Sequence, residues 1–297
     1  MHDRIIRWLG AIALVAALPI ATSAAQQVEF VGAYTWSPDD PAVGGLSGLE
    51  VSEDGDRFWA VGDKGLFVAG TFERKSGRIA AVSLDGARPI THSRNRDPLE
   101  PFHRDAEGLA LTPDGELYIS FEAFHRVWVL EEKTASTQEI NNPREFMGMQ
   151  RNSSLEALAS GPDGALYTLP ERSGKLERPF PVFRLKDGEW SIPFSLPRRG
   201  EFLPVGADFG PDGRFYLLER QFLGIFGFRT RVRAFSIQEG QLQDETTLIE
   251  TNGPWHDNLE GISLWRDADG AVRITMVSDN NFQPLQRTEF VEYRLTN

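Results

Sequence analysis

The chain has 297 residues, a net charge of −12 and no cysteine. The acidity argues against nucleic acid and anionic lipid surfaces as partners, and the missing thiols exclude a disulfide framework. A chain of this length can bury enough apolar surface to need no such staple.

The N-terminus reads as a removable address. Arg4 and Arg7 precede the apolar run Leu9–Ile20, and Ala21-Thr22-Ser23-Ala24-Ala25 supplies small residues for cleavage. This predicts a secretory signal peptide over residues 1–25, cut after Ala25 or, alternatively, after Ala24. The apolar run is too short to span a bilayer. Loss of Arg4, Arg7 and Asp3 with the signal moves the net charge from −12 to −13. Residues 26–297 are expected as one domain and a monomer, in a periplasm-like compartment or fully secreted, with no membrane span.

One module then recurs in five copies. They are Gly48–Asp63, Glu107–Glu122, Glu156–Glu171, Gly206–Glu219 and Glu260–Asp279. Each opens on small residues and continues as an apolar strand, an Asp-Gly turn, a second apolar strand and an acidic end. Asp-Gly between two apolar runs is a hairpin signal, because the turn needs positive φ. The turn glycines Gly55, Gly115, Gly164, Gly213 and Gly270 are 60, 49, 49 and 57 residues apart. Repeats of that period indicate a propeller or an array; a stacked solenoid fits less well because the units are long and hairpin-rich.

Two further strands follow most hairpins: Arg126–Glu132 and the stretch after Ser136, then Val182–Leu185 and Trp190–Ser195, then Arg231–Ile237 and Gln241–Ile249. The fifth unit has only Glu289–Leu295, and Val28–Trp36 from the N-terminus is expected to complete it, removing an open edge. The expected fold is therefore all-β, a five-bladed β-propeller closed by the N-terminal strand. A sixth, degenerate blade near Thr71–His103 is the alternative.

In such a fold the start of each first strand and the end of each second strand share one mouth of the channel. That mouth should carry Glu107, Glu156 and Glu260 together with Asp63, Glu122, Glu171, Glu219 and Asp279. Ser47 and Val205 occupy the glutamate slot in the other two modules, with Glu50 and Asp208 three residues later. An odd offset points to the opposite side of a strand unless a bulge re-aims it. Clustered carboxylates suit a hard divalent cation, calcium first; the candidate ligands are Glu107, Glu156, Glu260, Asp279 and Asn280. The competing reading is that basic neighbours such as Lys64, Arg172 and Arg220 neutralise the ring.

His103 and His256 each stand shortly before a module glutamate, and they are the candidate general bases. His92 and His125 carry no such placement. Arg104, Arg126 and Arg220 are the candidates to hold an anionic substrate group. Ser47 lies in a glycine-rich stretch but lacks the G-x-S-x-G elbow. Phosphate-loop, dinucleotide and zinc motifs are absent.

At GGLSGL (Gly44–Leu49), FWAVGDKG (Phe58–Gly65), DAEGLAL (Asp105–Leu111), the Glu156 and Gly206–Gly213 copies, and NLEGISLW through VSDNNF ending at Phe282, the chain resembles the exported phytase-like family known as "esterase-like activity of phytase". The resemblance spans essentially the whole mature chain. It implies a hydrolase of carboxylic or phosphate esters acting on a small molecule. Metal-dependent lactonase propellers are more loosely similar, and Glu107, Glu260, Asp279 and Asn280 could serve as theirs do; a series of asparagines, one per blade, is missing. A non-catalytic propeller that docks a protein or cell-envelope ligand on the same mouth is the reading from another class.

Overall fold

The structure is a computed structural model that describes residues 27–150 and 153–296; the expected signal peptide lies outside them. Strand β1 (Gln27–Trp36) precedes a first sheet of β2 (Leu46–Val51), β3 (Arg57–Gly62), β4 (Leu66–Lys75) and β5 (Arg78–Pro89). Next come β6 (Thr91–His92), β7 (Ala106–Leu111), β8 (Leu117–Phe121), β9 (Arg126–Glu131) and β10 (Ser136–Glu139). The third sheet is β11 (Ala157–Ser160), β12 (Leu166–Leu169), β13 (Phe180–Lys186) and β14 (Glu189–Leu196). The fourth is β15 (Leu203–Phe209), β16 (Phe215–Phe222), β17 (Phe228–Gln238) and β18 (Gln241–Glu250). The last contains β19 (Asn258–Arg266), β20 (Val272–Asp279) and β21 (Thr288–Thr296), and β1 pairs antiparallel with β21 from Gln27↔Thr296 to Trp36↔Thr288.

These are five propeller blades, with the N-terminal strand as the outer strand of the last. The first strands β2, β7, β11, β15 and β19 contact one another in a closed ring around the channel. The alternative of a sixth blade over Thr71–His103 is overturned. That stretch is the end of β4, then β5, and then the two-residue β6, which adds in parallel to β10 at the edge of blade two. The turn that joins β4 to β5 is Ser76-Gly77, both at positive φ. It is a tight hairpin turn without the Asp-Gly signature, so a count of Asp-Gly turns passes over it.

The module turns are also not the two-residue kind. In Thr112-Pro113-Asp114-Gly115-Glu116, only Gly115 has positive φ, 89°, and Gly115 N–H donates to the Thr112 carbonyl at 2.9 Å. That is a three-residue turn closing on a left-handed glycine. The aspartates serve the turns as expected: Asp163 Oδ1 accepts from Ala165 N–H and Asp212 Oδ1 from Arg214 N–H.

Five apolar clusters hold the ring, one between each pair of neighbouring blades. At the closing seam Phe58 stacks on Phe72 at 4.8 Å and meets Phe290 at 5.1 Å and Trp36 at 5.7 Å. Burying each such ring stabilises the fold by about 1.5–3 kcal/mol of transfer energy. The small residues that open the modules permit close approach at the axis. A Cβ on Gly206 would lie 2.4 Å from the Glu260 carbonyl oxygen of the next blade, and one on Gly48 would lie 2.7 Å from Leu109 N. Among the described residues no helix is long and apolar enough to cross a membrane.

Candidate functional site

Bulges place the acidic groups. Register shifts occur between Leu46 and Gly48, Ala106 and Leu109, Pro204 and Gly206, and Leu259 and Gly261. Each lies at the opening of a first strand, and an extra residue there reverses which side the following side chains take. Slots three residues apart therefore both face the channel, and the carboxylates form two tiers. Glu107, Glu156 and Glu260 influence one another electrostatically at one mouth, while Glu50 faces Asp208 of blade four.

The mouth tier holds Asp63, Asp105, Glu107, Glu122, Glu156, Glu171, Glu260 and Asp279. All but Asp63 and Asp105 are buried. Oxygens of Asp105, Glu107 and Glu122 lie within 4.8 Å of one another. Asp105 is within hydrogen-bonding reach of both Glu107 and Glu122, and Glu122 is within reach of Glu156. Carboxyl groups in such contact must share protons or a cation. Burial, then neighbouring carboxylates, hold Glu107 and Glu156 well above the usual range. Burial and Glu260 push Asp279 up to about 8; burial and Asp105 push Glu122 to about 7 and Asp63 to about 6. The Asp63 Oδ1 atom is buried without a hydrogen-bond partner among the described residues.

The guanidinium of Arg220 reaches furthest into this charge. Arg220 donates to Asn258 Oδ1 at 2.8 Å, to Glu171 Oε1 at 3.4 Å and to Glu260 Oε1. Burial alone would lower its pKa, but Glu260, Glu156 and Glu171 raise it. Counted from its turn glycine, Arg220 occupies the slot that Glu122 and Glu171 occupy in their blades. Blade four thus supplies an arginine where other blades supply acids. This corrects the expectation for Glu219, which stands one residue earlier on the opposite side of β16. It is fully buried and accepts from Arg231 Nε at 2.7 Å and from Arg233 Nη2 at 2.7 Å, away from the mouth.

The structure brings Glu107, Glu156, Glu260, Asp279 and Arg220 together. Asn280 is adjacent, its Oδ1 accepting from Gly45 N–H at 3.0 Å and Phe282 N–H at 3.1 Å, which ties blade five to blade one. Arg104 packs over Gly65 and tempers the raised pKa of Asp105. Lys64 lies over the Phe282 ring, 3.0 Å from its centroid, and Arg172 pairs with Glu171 at 3.3 Å. His103 is half-buried on the rim, stacked on Phe124 at 4.1 Å, and burial followed by Arg126 lowers its pKa.

Two candidates stand apart. Arg126 is spread over Phe121 and Trp128, at 3.9 and 4.2 Å, and donates to the carbonyls of Phe124 and His103. His256 is buried against Phe30 and bonds Tyr293 through Nε2 at 2.8 Å, and burial lowers its pKa to about 4. Neither touches a mouth carboxylate among the described contacts.

Sequence reasoning did not single out Asp105, Asn258, Ser154 or His125. The first three stand two residues before the module glutamates and face the second-strand ends. Glu122 N–H donates to Asp105 O, Glu171 N–H to Ser154 O, and Asn258 pairs with Asp279. The recurrence of an oxygen donor at that offset was the available signal. His125 Nδ1 lies 2.7 Å from Ser154 Oγ, and Ser154 N–H donates to Glu122 Oε1 at 3.3 Å. Burial lowers the His125 pKa.

The mouth also has an apolar rim. Of eleven exposed large apolar side chains among the described residues, nine sit on loops or strand ends at this face, Phe102, Phe124, Met147, Ile225, Trp255 and Leu285 among them.

These groups set a pH dependence. Unfolded carboxyls titrate near 4, so the raised Glu122 and Asp279 bind protons more tightly in the folded state. Their contribution to stability is complete below about pH 4 and is lost as pH rises through about 7 to 8. In EDTA the unfolding midpoint is expected to fall between pH 5 and 8.5; millimolar calcium should flatten that slope, as thermal scans at matched ionic strength would show.

A family model described as "Phytase-like: Esterase-like activity of phytase" matches residues 41–282. No curated protein matches the chain in sequence. Among solved structures, the chain is similar to the PQQ-bound aldose sugar dehydrogenase of Streptomyces coelicolor at 13% identity, with a TM-score of 0.53, over 93% of this chain and 100% of that one. It is also similar to a gluconolactonase from Xanthomonas campestris at 16% identity, with a TM-score of 0.44, over 84% of this chain and 72% of that one. At 13% identity the first likeness is one of fold.

Proposed function

The chain belongs to the phytase-like family, esterase-like activity of phytase, and from the carboxylates at its mouth we propose that it is a divalent-cation-assisted ester hydrolase. The observation that carries this reading is the convergence of Asp105, Glu107 and Glu122 oxygens within 4.8 Å. Oxygens bound to one calcium at about 2.3–2.6 Å lie no more than roughly 5 Å apart, and the donor set is wholly hard oxygen. Asp105, Glu107 and Glu122 would hold the cation, with Glu156, Glu260, Asp279 and Asn280 around it. When bound, such an ion polarises an ester oxygen and acidifies a water.

The chain's own groups supply the rest. The raised carboxyls release their protons to admit the cation, so affinity rises with pH. His103 and His125 are neutral near pH 7 because their pKa values are lowered. We assign proton acceptance from the attacking water to His125, whose Nδ1 bonds the hydroxyl of Ser154, the residue whose backbone N–H donates to Glu122, with His103 the second candidate. Arg220 keeps the ring's charge partly balanced. Two of the three candidate anion-binding arginines are already engaged, Arg220 with the ring and Arg126 with carbonyls and rings, which leaves Arg104. With Arg104 alone of the three without a side-chain hydrogen bond among the described residues, and with the apolar rim beside it, the mouth favours a carboxylic ester with an apolar part over a multiply charged phosphate ester. The same reading takes residues 26–297 as a single exported, periplasmic or secreted domain.

The test is hydrolysis of p-nitrophenyl butyrate and p-nitrophenyl phosphate by the mature chain in EDTA and in calcium, with the unfolding midpoint measured on the same samples. The expected result is a midpoint several degrees higher in calcium and butyrate turnover only there. A calcium shift without turnover would favour the non-catalytic docking propeller, and turnover confined to lactones the lactonase-like alternative. No shift and no turnover would leave a charge-balanced scaffold.

A further inference from the structure

The second carboxylate tier lies toward the other end of the channel. Glu50 of β2 accepts from Leu111 N–H of blade two at 2.9 Å and from Ser263 Oγ at 3.3 Å. Asp208 of β15 accepts from Phe209 N–H and from Leu264 N–H of blade five, each at 2.7 Å, and is also bonded to Ser263. Both carboxylates are more than nine-tenths buried. They reach the same serine hydroxyl and act on each other electrostatically, so they lie close together, and no lysine or arginine contacts either among the described residues.

They line a cavity of about 700 Å³ that opens among the Asp-Gly turns, where Pro113, Pro162 and Pro211 form its lip. Trp59, Phe209 and Trp265 supply apolar wall. Arg266 reaches the wall, but its guanidinium is taken by the Gly270 and Pro211 carbonyls at 2.7 and 3.0 Å. Ser160 of β11 lines the same cavity. It is 8% exposed, and its hydroxyl has no hydrogen-bond partner among the described residues. Buried hydroxyls are nearly always bonded, so an orphaned one beside an acidic pair points to a missing partner.

We propose that this cavity is a binding site for an organic cation, a primary ammonium carried on an apolar body, distinct from the mouth. The floor offers acceptors: two carboxyl groups with no lysine or arginine against them, and a hydroxyl without a partner, among the described residues. An ammonium brings three donors and one positive charge, and charge-assisted bonds to buried carboxylates are the strong kind. A cavity of this size is in the range of small-molecule sites. A bare metal ion would fill little of it and leave the apolar walls unused.

The structural role of the pair does not conflict with this. Each carboxylate oxygen has further lone pairs after accepting one amide or hydroxyl, so tying blade one to blade two and blade four to blade five leaves acceptor capacity facing the cavity.

The test uses benzylamine and its neutral counterpart benzyl alcohol, titrated into the mature chain by ligand-observed NMR in EDTA. Benzylamine is expected to bind at least tenfold more tightly than benzyl alcohol. Asp208→Asn should weaken benzylamine at least tenfold, and Ser160→Ala measurably, with the calcium response of the mouth unchanged in both. The comparison of the two ligands on the unaltered chain stands even if Asp208→Asn fails to fold. Equal affinity for amine and alcohol overturns the proposal. So does loss of benzylamine binding in Asp105→Asn with Ser160→Ala unaffected, which would move the amine to the mouth. The outcome is independent of whether the mouth hydrolyses esters.

Discussion

Replacing Asp105 by Asn and Glu122 by Gln together is expected to lower calcium-dependent ester turnover about 10³-fold while raising the stability of the metal-free protein at pH 8. The two effects share one cause. Both carboxyls are pushed up by burial, and Glu122 further by Asp105; they touch each other and Glu107, so neutral amides of the same shape relieve repulsion that water does not screen. The same amides remove two of three charged ligands. A Lewis acid supplies several kcal/mol of transition-state stabilisation, and about 4 kcal/mol corresponds to about 10³ in rate. The calcium-induced rise in midpoint should disappear in the same variant. Initial rates and thermal scans in EDTA and calcium check both halves. A variant that keeps its rate would remove the carboxylate trio from the mechanism, and one destabilised in EDTA would show that the contacts are structural bonds.

Arg220→Met is expected to cost about 3–5 kcal/mol of stability at pH 8 in EDTA, the usual loss when one partner of a buried charge cluster is removed. Glu260 and Glu171 are buried, with side chains 7% exposed, and Arg220 is the guanidinium that bonds both. For a domain of this size that is a fall on the order of 10 °C. Two conditions should restore part of it. Calcium can replace the lost positive charge, and at pH 5 the raised Glu107, Glu122, Glu156 and Asp279 carry protons, so the ring is less negative. Arg220→Lys should recover only part, because an ammonium cannot reach Asn258, Glu260 and Glu171 with one planar fork. Chemical denaturation at both pH values, with and without calcium, measures each term. Equal losses at pH 5 and pH 8 would mean that Arg220 acts by packing and not by charge.

The blade count and the acidic mouth could be read because each rests on a repeated local rule: alternation along a strand, a glycine after an aspartate at a turn in all five blades, and a carboxylate facing the mouth where the second strand ends in four of the five. The sequence leaves an extra blade near Thr71–His103 open because the Ser76-Gly77 hairpin lacks the Asp-Gly dipeptide of the other turns. The offset of Glu50 and Asp208 could be noticed but not resolved, since a bulge leaves no fixed residue signature. In the sequence His103 and His256 are alike, each four residues before a glutamate. The chain between β18 and β19 instead carries His256 into the apolar seam between blades four and five.

The sequence by itself determined the propeller, its five units and the sign of charge at one end, because turn chemistry and strand period act over a few residues and repetition multiplies a weak signal. Only the tertiary structure decided which acids meet. Asp105, Glu107 and Glu122 share one blade, but Glu156, Glu260, Asp279 and Arg220 come from three others, and Glu50 finds Asp208 across the channel. Those neighbours are set by ring closure, which brings together residues far apart in the chain. Their raised pKa values arise from burial, which no single strand possesses before the ring is closed.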